Sequence, residues 1–216
     1  MTVYEDTFRK PPSCKCRYIA FNPLARIRPK LASRRSLRSL PPDGWVFLPL
    51  VPYHGGSDSQ FEPMSDNLAA YNMGLAQYLL AGVAACYRGY RLYDTPAVQA
   101  VVTKWVSVYK TYRSIINTDI IHVRRPDGQS IDGFLHASVT LQQRGLLALF
   151  NPASTQLTQT ITVPLYYTGI QTAAAFFAEG AAPTRTVLTL ARDYSVLLNV
   201  TMPPQSATFF VIEDAS

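Results

Sequence analysis

The stretch Asp119-Ile120-Ile121-His122-Val123-Arg124-Arg125-Pro126-Asp127-Gly128-Gln129-Ser130-Ile131-Asp132-Gly133-Phe134-Leu135-His136-Ala137 decides the fold. Before it, apolar residues recur every three to four positions. Within it the period drops to about two, and Pro126-Asp127-Gly128 supplies a turn between two alternating runs. Alternation around a turn of this composition is the pattern of a β-hairpin.

Downstream the same rhythm continues. Strands are predicted at 119–125, 131–137, 145–150, 158–165, 173–178, 185–191, 194–201 and 207–213. The separators are Asn151-Pro152, Thr168-Gly169, Glu179-Gly180 and Pro203-Pro204. Short strands at this spacing predict an antiparallel β-sandwich over 119–216, which is enough chain for one compact domain.

Upstream the pattern is α/β. Trp45 to Val51 is a continuous apolar run, read as a strand buried on both faces. A helix is predicted over 66–80, capped by Ser65, with Leu68, Tyr71, Leu75, Tyr78 and Leu79 on one face and Gly82 as the residue that ends it. Val83 to Tyr87 is a second short strand. A second helix follows from Asp94 or Thr95 as cap, with Pro96 in its first turn and a stripe of Val98, Val102, Trp105, Tyr112 and Ile116. Two consecutive strand–helix units result.

Residues 1–44 differ from both parts. They hold six of the sixteen prolines, their first 40 residues carry ten Lys/Arg against Glu5 and Asp6, and they are read as poorly ordered. The net charge of +6 therefore resides in this segment, since 41–216 is slightly acidic. Basic tails bind nucleic acid or anionic membrane, but this one has no interleaved aromatics and no recognised module, so nucleic acid is not an expected partner. No apolar run is long enough for a membrane span, and no signal-peptide core opens the chain. The compartment stays open, a secreted parent protein included. Cys14, Cys16 and Cys86 imply no disulfide framework and no metal site, and no cofactor is expected.

Chemistry-bearing residues concentrate in the loops after the two upstream strands. The first carries Tyr53, His54, Ser57, Asp58 and Glu62; the second Tyr87, Arg88, Tyr90, Arg91, Tyr93 and Asp94. In parallel α/β folds such loops build the active site. Tyr53, His54, Asp58, Glu62, Tyr87, Arg88 and Arg91 are the substrate-binding candidates. Asp58 and Glu62 would act as acid and base only across a substrate. Equally, Gly55-Gly56 is a tight turn, and Asp94 suits a cap. His122 and His136 would have to converge to hold a metal; cross-strand pairing is the simpler reading. No phosphate-binding, nucleophile-elbow or zinc-protease motif occurs. Asn199-Val200-Thr201 is an N-glycosylation sequon within a predicted strand.

Trp45 to Gly56, Gly82 to Asp94, Asp119 to Gly128, Asp132 to His136, Gly145 to Pro152 and Leu165 to Gly169 together resemble the C-terminal part of glycoside-hydrolase-like proteins of the α-galactosidase type. The resemblance spans 45–216. It implies a (β/α)₈ barrel followed by an antiparallel β-sandwich, and a carbohydrate partner. On that basis the fold class is α+β in several parts: 1–44 a basic segment, 45–118 the last strand–helix units of a (β/α)₈-like barrel, and 119–216 the sandwich. A whole barrel needs about 250 residues, far more than lie between 45 and 118. The chain is then a C-terminal fragment, inactive alone, with no catalytic residue assigned and prone to self-association through an exposed barrel edge. Two other readings stand beside it: a non-catalytic carbohydrate-binding or assembly β-sandwich module, and a small hydrolase using Asp58 or Glu62 with His54.

Overall fold

The computed structural model describes residues 45–49, 61–124, 126–179 and 184–215. Its order is β1 (Trp45–Pro49), α1 (Leu68–Leu80), β2 (Ala84–Arg88), α2 (Pro96–Ile116), β3 (Asp119–Arg124), β4 (Asp132–Ala137), β5 (Gln143–Asn151), β6 (Leu157–Pro164), a short 3-10 helix (Tyr166–Thr168), β7 (Ala173–Ala178), β8 (Arg185–Thr189), β9 (Ser195–Met202) and β10 (Ser206–Asp214). All eight strands predicted after Asn117 are present.

β1 and β2 pair in parallel, Trp45 opposite Ala84 and Pro49 opposite Arg88, with α1 as the crossover. The antiparallel strands form two sheets, one in the order β3-β4-β5-β10-β7-β8 and the other β6-β9. The architecture is thus α+β, with most strands antiparallel. Residues 1–44, 50–60, 125, 180–183 and 216 lie outside the described structure, and with them the expectation about the basic segment and the last two residues of the first predicted strand.

The six-stranded sheet has both faces covered. On one face Leu135, Leu147, Leu149, Phe176 and Ile212 meet Ile161, Val163, Val196, Leu198, Val200 and Met202 of the small sheet. On the other, Leu146, Ala148, Phe150, Phe209 and Val211 pack with Trp105, Ile115, Ile116 and Leu75 of the helices. β5 shows why: Gly145 to Asn151 are buried without interruption. Its run Leu-Leu-Ala-Leu-Phe has no polar alternate because neither face meets water. β9 alternates instead, with Leu197, Asn199 and Thr201 outward. The helices therefore share one core with the large sheet, and the two sheets enclose a second.

Specific bonds fasten the helices to the sheet. His136 is fully buried on β4, and its Nε2 lies 2.7 Å from the carbonyl of Leu80, the last residue of α1, while Nδ1 lies 3.5 Å from the Thr118 carbonyl. The shorter bond assigns the proton to Nε2, and burial holds the ring neutral by lowering its pKa. In register His122 stands opposite Phe134, and Ile120 opposite His136. His136 thus serves as a helix-to-sheet donor. Lys104 of α2 reaches Glu179, just after β7, at 2.7 Å, and its ammonium sits 4.5 Å from the Trp105 ring centre.

Two predicted caps behave differently. α1 starts at Leu68, not 66, and Ser65 does not cap it: the N-cap is Asn67, which makes no capping bond. Ser65 instead donates N–H and Oγ–H to the Asp94 carboxylate, 29 residues away. That engagement removes Asp94 from capping α2, and Thr95 takes the role by accepting from Val98 N–H. The end of α1 follows expectation. Gly82 has φ +72°, its N–H bonds Leu79 O and Val83 N–H bonds Tyr78 O, the paired pattern of a left-handed helix stop.

Asp132 opens β4 opposite Phe150, half-buried. Desolvation first, then the neighbouring Asp127 carboxylate, raises its pKa to about 7, with Arg124 opposing. The folded chain therefore keeps a proton through the window from about 4 to 7 that the unfolded chain releases, so this group's contribution to stability declines as pH rises across that window. Asp132→Asn is expected to stabilise the protein at pH 8 by on the order of 2–4 kcal/mol and to change little near pH 4. Urea unfolding of both forms across this range checks it; an equal effect at both ends would refute the raised pKa.

Candidate functional site

The candidate rim lies where the segment before α1 meets the loop between β2 and α2. Local sequence brings them together. Phe61 and Met64 are buried anchors, and the Phe61 ring packs 5.3 Å from Tyr71. Asn67 Nδ2 donates back to the carbonyls of Phe61 and Pro63, folding 61–67 on itself. Tyr71 Oη donates to Leu92 O and pins the second loop; burial, then nearby Tyr87 and Asp94, raises the pKa of that phenol, so it stays a donor.

Above these anchors stands a polar cluster. Glu62 Oε1 accepts from Tyr90 Oη at 2.8 Å and Arg91 Nε at 2.6 Å, with the second Arg91 nitrogen at 2.5 Å. The Arg91 guanidinium also lies 5.2 Å from the Tyr90 ring centre. Asp94, bonded by Ser65, is held below the usual carboxylate range chiefly by the Ser65 backbone donor. Tyr90 is 77% and Tyr93 45% exposed. The surface thus offers two exposed phenols, a guanidinium and two ordered carboxylates.

Of the predicted candidates, Glu62 and Arg91 meet directly. Tyr87 packs half-buried against the helix-side core. Arg88 is placed only as a β2 residue opposite Pro49. Tyr53, His54 and Asp58 lie outside the described residues. Glu62 is engaged by Arg91 and Tyr90. Ser65, Tyr90 and Asp94 join the rim through contacts across 28 or 29 residues, which no local spacing signals. Among the described residues no group of three His, Cys, Asp or Glu could hold a metal ion, and no helix is long and apolar enough to cross a membrane.

The fold is similar to part of a solved α-amylase structure. An α-amylase of Geobacillus thermoleovorans, solved with acarbose, superposes with a TM-score of 0.53 at 11% identity, over 82% of this chain and 40% of that one. A putative α-N-acetylgalactosaminidase of Bacillus halodurans gives 0.48 at 14% identity over 78% and 38%, and a GH27 β-L-arabinopyranosidase of Geobacillus stearothermophilus 0.48 at 13% over 79% and 37%. This chain thus spans about two fifths of the length of these structures. No protein-family model matches the sequence, and no curated protein matches it.

Proposed function

We propose that this chain corresponds to the C-terminal part of a glycoside-hydrolase-like protein of the α-galactosidase type, that its partner is carbohydrate, and that it does not cleave glycosides alone. In this reading 45–118 are the last strand–helix units of a barrel and 119–216 the sandwich closing it. The observation carrying it is the parallel β1-α1-β2-α2 unit packed through a shared core onto an antiparallel sandwich. In this reading the absence of turnover follows from the shortness of 45–118, since a whole barrel needs about 250 residues. The test is hydrolysis of chromogenic galactosides by the purified chain. No release above the blank is expected. Turnover that disappears in Glu62→Gln and Asp58→Asn would overturn the reading and favour a small hydrolase.

Self-association follows from the same reading. In this reading β1 and β2 are parallel barrel strands whose remaining barrel neighbours the chain is too short to supply, and unpaired strand edges promote association. Light scattering at micromolar concentration is expected to show dimers or larger species. A monodisperse monomer would count against an exposed barrel edge.

A further inference from the structure

We propose that the sandwich carries a carbohydrate-binding platform of its own, formed by Tyr166, Tyr167 and Tyr194 and separate from the rim at Glu62 and Arg91. Tyr166 and Tyr167 are 64% and 61% exposed, unusual for large aromatics, and they stand beside each other on the short helix between β6 and β7. Tyr194 comes from the turn between β8 and β9. Tyr166 lies 5.3 Å from Tyr167 at 89° and 5.6 Å from Tyr194 at 79°, so its ring is braced edge-on by both neighbours. The three rings thus form one cluster from two segments distant in sequence.

The backbone beneath is held tightly. Leu165 N–H bonds Tyr194 O at 2.8 Å, joining the two segments. Thr168 Oγ1 closes the short helix on Leu165 O, and Gly169 ends it at φ +75°. The turn under Tyr194 is closed by Tyr194 N–H on Ala191 O and by Ser195, whose N–H and Oγ–H both bond Asp193 Oδ1. Tyr194 itself has φ +59°, a conformation that bulky side chains rarely adopt and that costs backbone energy. The chain retains this strain while presenting the ring, and a platform that needs no ordering on contact binds at lower entropic cost.

The chemistry selects a glycan. A pyranose has one face of polarised C–H bonds and a rim of hydroxyls. Phenol rings offer an electron-rich face to the former and a hydroxyl to the latter. Arg192 and Asp193, both exposed, precede Tyr194 in the same turn and add polar groups next to it in sequence.

The test is native affinity electrophoresis of the full chain in gels containing galactomannan, soluble starch or arabinogalactan. Neutral polymers are used so that the basic N-terminal segment contributes nothing. At least one is expected to retard the protein. Tyr166→Ala with Tyr167→Ala should weaken that retardation roughly tenfold, while the double Phe form stays within about twofold, because stacking outlasts loss of the hydroxyls. Thermal melting controls for folding, and Tyr167→Ser alone serves if the double Ala form melts early. Arg91→Ala reports on the rim separately, so this platform and the rim can fail independently. Absence of retardation by all three polymers, retardation indifferent to the tyrosine variants, or retardation lost only in Arg91→Ala would overturn the proposal.

Discussion

Gly133→Ala is expected to destabilise the protein by about 3 kcal/mol or more, a large part of the stability of a domain this size. Gly133 lies on β4 between Arg124 of β3 and Leu149 of β5. A Cβ there would stand 2.1 Å from the Ala148 carbonyl oxygen and 2.8 Å from Leu149 Cδ2. The first obstacle is backbone in the middle strand of the sheet, so it cannot swing aside as a side chain would. Either β4 withdraws and loses its ladder to β5, or the register next to the β3 bulge at His122 and Arg124 shifts. Urea unfolding measures the loss, and a change below about 1 kcal/mol would mean that β4 and β5 do not approach this closely.

Trp105→Ala is the second large effect, expected to cost about 3–5 kcal/mol. Trp105 is fully buried on α2 within the helix-side core. Removing it opens a cavity between the helices and the sheet and strips Asn72 of the donor at 2.7 Å that links α1 to α2. Trp105→Phe refills most of the space but not the bond, and should cost about 1–3 kcal/mol. If the Ala form unfolds with wild-type midpoint and slope, α2 does not belong to the cooperative body.

The strands after Asn117 were legible because turn residues such as Pro126-Asp127-Gly128 punctuate a period of two. Asp127 shows the physical reason: its carboxylate accepts from Gln129 and Ser130 N–H, closing the turn locally, and these bonds lower its pKa to about 2. Gly82 was legible for the same reason, since a left-handed position leaves a mark on residue choice. The layering was not legible. The unbroken apolar run of β5 marks burial on both faces, yet nothing local says that helices cover one of them. The caps were legible in part: Thr95, one of the two residues offered for α2, caps it, whereas Ser65 and Asp94 bond each other across 29 residues. At the rim, residue types pointed to Glu62 and Arg91, but their pairing, and the part of Tyr90 in it, exist only once the two loops are brought together.

Native-state hydrogen exchange on the intact chain tests most directly whether the strand–helix units and the sandwich are one body, the feature on which the proposed function rests. The slowest amides of α2 and those of β5 and β10 are expected to exchange through the same global opening, with free energies within about 1 kcal/mol of each other and equally reduced in Trp105→Ala. Helix amides that exchange through a separate, much cheaper opening while the sandwich stays protected would contradict it.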